Sequence, residues 1–226
     1  MSVHPMDNPV WHSLSSEQRS FAIGTQHALR YPTDVAPFVA IAQSGVSAHN
    51  DALDLVAPGE AVYFVGTAPR DLVGWAVLKE SRILQMMWDS STALSLDRIG
   101  IEELTAADAP AMVELTSLAF PGFFCSRTHE LGRYCGIRDG ALLVSMAGER
   151  MRATGFQEIS GVCTHPRYVG RGYSAKLNTC MIESIRARGA QPFLHVSSDN
   201  ERAQSLYRRL GFVIRAELEL WHLRKH

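Results

Sequence analysis

Apolar and polar positions change rhythm along this chain, and each change marks an element. In residues 1–12, Pro5 and Pro9 discourage regular structure, so this stretch is expected to be loose. Ser15 with Gln18 three residues later has capping-box spacing and predicts a helix to about Arg30, stopped by Pro32. Two further helices are predicted over 35–42 and 48–56, the second ended by Pro58-Gly59. The rhythm then shortens. Runs at 61–66, 72–78 and 82–88 are β-branched or aromatic, and Pro69-Arg70-Asp71 and Lys79-Glu80-Ser81 separate them. They predict a strand meander. The polar stretch 90–98 reads as a linker or crossover.

A second set of elements starts at Ile99. A strand over 101–104 meets Thr105 or Asp108, either of which can cap a helix over 109–120. Met112, Leu115, Leu118 and Ala119 fall on one face of that helix. Pro121-Gly122-Phe123-Phe124 ends it, and a short helix is predicted at 128–134. An apolar strand at 141–147 precedes the charged run Gly148-Glu149-Arg150-Met151-Arg152. Strands at 156–164, 193–197 and 212–223 then alternate with helices at 171–188, ended by Gly189, and 200–210. Both halves run from helices to strands, a pattern compatible with a degenerate duplication.

Composition narrows the function classes. With 226 residues and 46% hydrophobic content the chain can bury one large core or two small ones. Its net charge of −1, without long runs of one sign, gives no electrostatic footprint for nucleic acid or an anionic membrane. No apolar run approaches the roughly 20 residues of a membrane helix, and the N-terminus lacks a secretory pattern. Cys125, Cys135, Cys163 and Cys180 show no Cys-x-x-Cys spacing, which argues against a zinc knuckle or redox dithiol and fits a reducing, cytoplasmic setting.

The candidate chemistry lies at Val169-Gly170-Arg171-Gly172-Tyr173-Ser174. Two glycines let the backbone turn sharply and approach a bound group, and they open a helix whose free N–H groups favour an anion. A glycine turn before a helix is also common without any ligand. Gly170-x-Gly172-x-x-Ala175 satisfies the dinucleotide fingerprint too, with Asp199 after the following strand. That fold needs its strand to run straight into the glycines, whereas His165-Pro166-Arg167-Tyr168-Val169 intervenes. An NAD-dependent oxidoreductase is therefore the weaker reading.

The strand exit Val162-Cys163-Thr164-His165-Pro166, the Gly-x-Gly turn, Asn200 with Ala203, and the ending Leu206-Tyr207-x-x-Leu210-Gly211-Phe212 occur in order and at the spacing of one family. This region resembles the core of the GNAT superfamily of N-acetyltransferases, specifically over about 140–220 and more loosely back to about 99. The first half resembles the lobe of GNAT proteins built as a degenerate half joined to a complete one. The resemblance implies an α+β fold, the GNAT (acyl-CoA N-acyltransferase) fold, with a mixed, mostly antiparallel sheet and helices on both faces. A GNAT domain is expected at 99–226 and a smaller α+β lobe at 1–98.

The same resemblance implies acetyl-CoA as co-substrate, no metal, and direct transfer to a primary amine in a ternary complex. The acceptor would be a small molecule or a peptide. The backbone of Val162, Cys163 and Thr164 would bond the pantetheine arm in a slot where this strand splays from the 193–197 strand. The turn from Val169 through Gly170, Arg171, Gly172 and Tyr173 to Ser174 would hold the pyrophosphate. Asn200 would reach the coenzyme and Tyr207 would stand near its sulfur as general acid. Val169 and Ser174 depart from the family's usual Arg or Gln and Gly or Ala, which removes one side-chain contact and leaves the amides. By period two, Glu158, Ser160, Val162 and Thr164 share one strand face, and Glu158 is the candidate general base, with a strand salt bridge as its structural reading. Glu149 is the reserve base. The loop Phe120–Phe124 with Arg127, His129 and Glu130 is expected to border the acceptor site. Cys163 reads as a small buried residue. Cys125 and His129 lack further metal ligands. The terminal strand, 213–223, is read as an edge able to pair two subunits into a homodimer. A non-catalytic acyl-CoA-binding protein is the alternative from another class.

Overall fold

A computed structural model describes residues 4–89, 91, 97, 99–119 and 121–226 of the chain. It begins with a 3-10 turn, Pro5–Asp7, and helix α1, Pro9–Ser15. Proline suits both starts, since its missing N–H costs nothing at the first helical position. Met6, Val10 and Leu14 are fully buried, so the loose N-terminus expected for 1–12 is corrected from residue 4 onward. The helix expected from Ser15 to Arg30 is absent. The Ser13, Ser15 and Ser16 hydroxyls each donate to a carbonyl four residues back, and α1 ends where this competition is densest. A 3-10 turn at Arg19–Phe21 follows, then β1, Ile23–Gly24, and β2, Ala28–Arg30. β2 pairs with β3, Val39–Ile41, where a helix was expected. All three β3 residues are buried, and a short buried apolar run cannot be assigned by periodicity.

Helix α2, Val46–Asp54, leads to β4, Ala61–Val65, and β5, Trp75–Trp88. β5 is one 14-residue strand where two were expected. Lys79, Glu80 and Ser81 make no turn because each is paired, with His222, Trp221 and Leu220 respectively. Most of the expected linker at 90–98 lies outside the described residues.

The remaining elements are β6, Glu102–Leu104; α3, Ala109–Ala119; β7, Tyr134–Asp139; β8, Leu142–Ala153; β9, Phe156–Thr164; α4, Tyr173–Ala187; β10, Gln191–Ser197; α5, Glu201–Arg209; and β11, Phe212–Lys225. Thr105 and Asp108 form a capping box ahead of α3. The short helix expected at 128–134 is a 3-10 turn, Thr128–Leu131. Tyr134 instead opens β7. β8 runs through the charged segment 148–152 because Glu149 and Arg150 are buried with ion-pair partners.

Eight strands form one sheet in the order β4-β11-β5-β10-β9-β8-β7-β6. Only β9 and β10 run parallel; the other neighbours are antiparallel. The fold is α+β, with a mixed, mostly antiparallel sheet flanked by helices. Leu177, Met181, Ile182 and Ile185 of α4 pack with Tyr207 of α5 against Ile159, Leu194 and Phe212 on one face. On the other, α1 packs on Met151 and Phe193, and α3 on Met146 and Cys163. The sheet does not divide at residue 98. β5, from the first part, lies between β10 and β11, and β4 flanks β11 over Leu220–Arg224. The expectation of an edge strand at 213–223 is corrected over Leu220–Leu223, where β11 is interior; from Val213 to Glu219 its strand partner is β5 alone.

Candidate active site

β9 and β10 pair only at their N-terminal ends, Phe156 with Gln191, Gln157 with Pro192 and Glu158 with Phe193. Beyond Glu158 the two strands part. Gly161 adopts φ +62°, and the β8–β9 register slips between the Met146–Cys163 and Gly148–Ser160 pairs. This is a β-bulge, which bends a strand and frees its edge. The bulge also corrects the shared face expected for Glu158, Ser160, Val162 and Thr164. Ile159 and Val162 both pack toward α4, so parity flips between them. Glu158 and Ser160 face the Arg150 side; Val162 and Thr164 face α4.

On the α4 side the parted strands open into a cleft of 510 Å³. Val162, Cys163 and Thr164 form one wall, and the turn from Val169 to Ser174 forms its floor. Gly170 and Gly172 lie at φ +91° and +79°, with open space where a side chain would project. Gly172 is the N-cap of α4 and offers no capping side chain, so the first-turn amides face the cleft uncapped. Arg171 lies over the Tyr168 ring at 4.6 Å, and Tyr168 in turn donates to Asp139 at 2.7 Å. Thr164 and Ser174 join hydroxyls at 3.1 Å across the cleft base. The opposite wall comes from α5. Asn200 caps that helix by accepting from the Ala203 amide at 3.0 Å, and Tyr207 is buried and packs edge-on against Phe212. Burial pushes the Tyr207 phenol up to about 12, so it stays protonated across the ordinary pH range. All eleven residues expected at the coenzyme, from Val162 to Tyr207, line this one cleft.

Sequence reasoning left out Arg202 and Arg209, which add positive charge to the same walls. On a sequence they look like any exposed helix charges. Only the direction of α5 across the cleft distinguishes them.

Glu158 lies on the other side of the sheet and is completely buried. Arg150 grips it with two bonds, Nε to Oε2 at 2.9 Å and Nη2 to Oε1 at 2.7 Å. The Met151 amide donates to Oε2 at 3.1 Å, and His195 Nδ1 lies 2.8 Å from Oε1. Burial alone would raise this carboxyl, yet the Arg150 charge and bonds, with His195, outweigh it and hold it far below the usual carboxylate range. His195 continues the network through Nε2, 2.9 Å from the Gln85 amide of β5. Gln85 donates to the Met6 carbonyl and accepts from Arg215. His195 was visible in the sequence only as one polar residue in an apolar strand; its partners depend on β5 and β8 register.

Glu149 is also buried but bonds Arg188, just past the end of α4, and does not line the cleft. The Cys163 thiol is pushed up to about 12 by burial, which makes it an inert wall residue. Among the described residues no three His, Cys, Asp or Glu side chains gather as metal ligands. Phe123 and Phe124 of the loop after α3 face Arg150, while Arg127 bonds Glu130 and Asp34, tying this loop to the first part of the chain.

Comparison with known proteins settles the family. A GNAT-family acetyltransferase structure from Novosphingobium aromaticivorans superposes with TM-score 0.90 at 34% identity, over 99% of this chain and all of that one. N-alpha-acetyltransferase RimI of Mycobacterium tuberculosis is 34% identical over 125 residues, half of this chain and 78% of that protein. The chain belongs to the GNAT family of N-acetyltransferases. The FR47-like protein family matches residues 134–222, from the start of β7 into β11. A GCN5-related N-acetyltransferase from Kribbella flavida shares the fold at TM-score 0.62 and 18% identity, over 95% of this chain and 91% of that one. Similarity over nearly the full length means that the first part, with β4 and β5, belongs to the GNAT architecture seen here. It is no appendage to the half that carries the motifs.

Proposed function

We propose that this GNAT protein transfers an acetyl group from acetyl-CoA to a primary amine by direct transfer in a ternary complex. One observation carries the reading: the parting of β9 and β10 at Glu158 beside an uncapped helix start. Beyond Glu158 the β9 edge is unpaired on its β10 side. Val162, Cys163 and Thr164 can therefore bond an amide-bearing arm as a strand bonds its neighbour. The amides of Gly170, Arg171, Gly172, Tyr173 and Ser174 hold the pyrophosphate, aided by the α4 dipole. The fit is to an anion with a long polar arm. Flat packing of a nicotinamide has no counterpart here, because the 3-10 turn Pro166–Tyr168 separates β9 from the glycines.

The thioester supplies an activated acyl carbon. The rest is done by this chain's own groups. The acceptor ammonium must lose a proton before its nitrogen can attack. Glu158, ionised and oriented by Arg150, takes that proton directly or through water. His195 Nδ1–H donates to Oε1 and the Gln85 amide donates to Nε2, so both ring nitrogens are engaged and the imidazole positions the carboxylate. As the C–N bond forms and the C–S bond breaks, Tyr207 gives the departing thiolate a proton and recovers one from the nitrogen of the collapsing intermediate. A phenol near 12 is a donor that stays loaded at neutral pH.

Initial rates of thiol release, with acetyl-CoA and a primary amine varied together, test this. Intersecting lines are expected, with Tyr207→Phe lowering kcat about 10²-fold or more while acetyl-CoA affinity stays within a factor of two or so. Parallel lines, or full activity in Tyr207→Phe, would contradict the mechanism.

A further inference from the structure

A second space lies on the Glu158 side of the sheet, separate from the coenzyme cleft. It has a volume of 110 Å³, and Phe38, Ile83, Phe123 and Leu220 give it an apolar wall. Arg150 and His195 stand at one end. A smaller recess of 10 Å³ shares Phe123 and Arg150 with it and reaches Ser160 and Gly161 at the bulge. The two spaces therefore lead from a greasy chamber, past Arg150, to the point where β9 parts from β10.

Tyr134 is the unexplained group here. It is 2% exposed and its hydroxyl has no hydrogen-bond partner among the described residues. Its ring is held by construction. A Cβ on Gly148 would lie 2.1 Å from Cδ1, and one on Gly161 would lie 3.3 Å from Cε1. Phe124 packs edge-on against it at 5.6 Å. A buried hydroxyl without a partner costs roughly 1–3 kcal/mol, and this one lines the recess.

We propose that the acceptor is a small, singly charged primary amine with an apolar body, seated in the chamber with its nitrogen in the recess against the Tyr134 hydroxyl. This rests on the acetyltransferase reading above. Two features choose the class. The chamber takes about eight water-sized groups, at roughly 10–15 Å³ each, and the recess about one, which suits a compact body better than a chain. No lining residue of either space is a carboxylate, and the Arg150 charge is already neutralised by Glu158, so nothing holds a second ammonium. The Tyr134 oxygen accepts from the ammonium as it docks. It then donates to the carbonyl oxygen as charge builds there. The bonds made and broken are those of the transfer itself.

The test uses the whole chain and three substrate sets with acetyl-CoA: arylalkyl and alkyl monoamines of six to ten heavy atoms, linear polyamines, and peptides with a free N-terminus. The monoamines are expected to be preferred by 10-fold or more in kcat/KM. Tyr134→Phe should keep or raise the melting temperature, because it removes an unpaired buried hydroxyl, yet lower kcat/KM for the monoamine at least 10-fold. Leu220→Trp, which fills the chamber, should raise the monoamine KM and leave acetyl-CoA affinity unchanged. Preference for peptides or polyamines, unchanged kinetics in Tyr134→Phe, or acetyl-CoA binding without turnover of any monoamine would overturn the proposal. Failure to bind acetyl-CoA would instead sink the underlying acetyltransferase reading.

Discussion

Glu158 shows how one residue type supports opposite roles until its neighbours are known. A strand glutamate four residues before the Val-Cys-Thr exit invites the role of free base. In the fold it is a buried anion bonded by Arg150, His195 and the Met151 amide. Taking two charges out of water is costly, and the pair is retained only because each satisfies the other. Removing one partner strands the second. Glu158→Gln and Arg150→Met should each destabilise by roughly 3–5 kcal/mol, and the double variant by less than their sum, measured by denaturant unfolding. The pH dependence follows from the same depression. Because the folded carboxyl ionises far below its ordinary value of 4.5, its stabilising contribution is full above that pH and drains away on acidification below it. An acid transition in the wild type that persists unchanged in Glu158→Gln would show that the pair does not govern it.

At the scale of elements, the half with strong local signals was legible. The strand at Phe156–Thr164, the helix that opens after Gly172, the cap at Asn200 and the ending at Gly211 all declare themselves by glycine, cap residues and periodicity. The cleft proposed to hold the coenzyme could be listed residue by residue because it is built from one continuous stretch of chain. Parts of the first ninety residues were misread for physical reasons, although the helix expected at 48–56 and the strand at 61–66 are present as α2 and β4. Buried runs such as Val39–Ile41 carry no period, and polar residues at Lys79–Ser81 mimic a turn within an exposed part of a long strand. The Glu158 side of the sheet was illegible for a further reason: Gln85 meets His195, and Phe38 meets Arg150 at 4.8 Å, only through non-local pairing. β5 is the element that creates these meetings, and the sheet depends on it. A chain of residues 99–226 alone would leave β10 and β11 without the strand that joins them. It should aggregate or lack a cooperative thermal transition by calorimetry. A soluble fragment melting near the whole chain's temperature would show that the second half is self-sufficient.

At the scale of the molecule, the sheet separates two kinds of chemistry and the bulge joins them. The α4 face offers glycine turns, free amides and arginines, which suit an anionic coenzyme. The opposite face, roofed by the first part of the chain, offers an apolar chamber and a buried Arg150–Glu158–His195–Gln85 network. Neither face alone performs a transfer; the gap between β9 and β10 is where a group held on one side can meet a group held on the other. The coenzyme cleft is therefore the premise on which everything else stands. It is tested most directly by calorimetric titration of the whole chain with acetyl-CoA, CoA and NAD, alongside Gly172→Val. Valine at φ +79° is strained by roughly 1–3 kcal/mol and disturbs the first-turn amides. The account predicts binding of acetyl-CoA and CoA, none of NAD, and at least 10-fold weaker binding of both CoA species in a Gly172→Val protein that still folds. Absence of CoA binding, or NAD binding in its place, would contradict it.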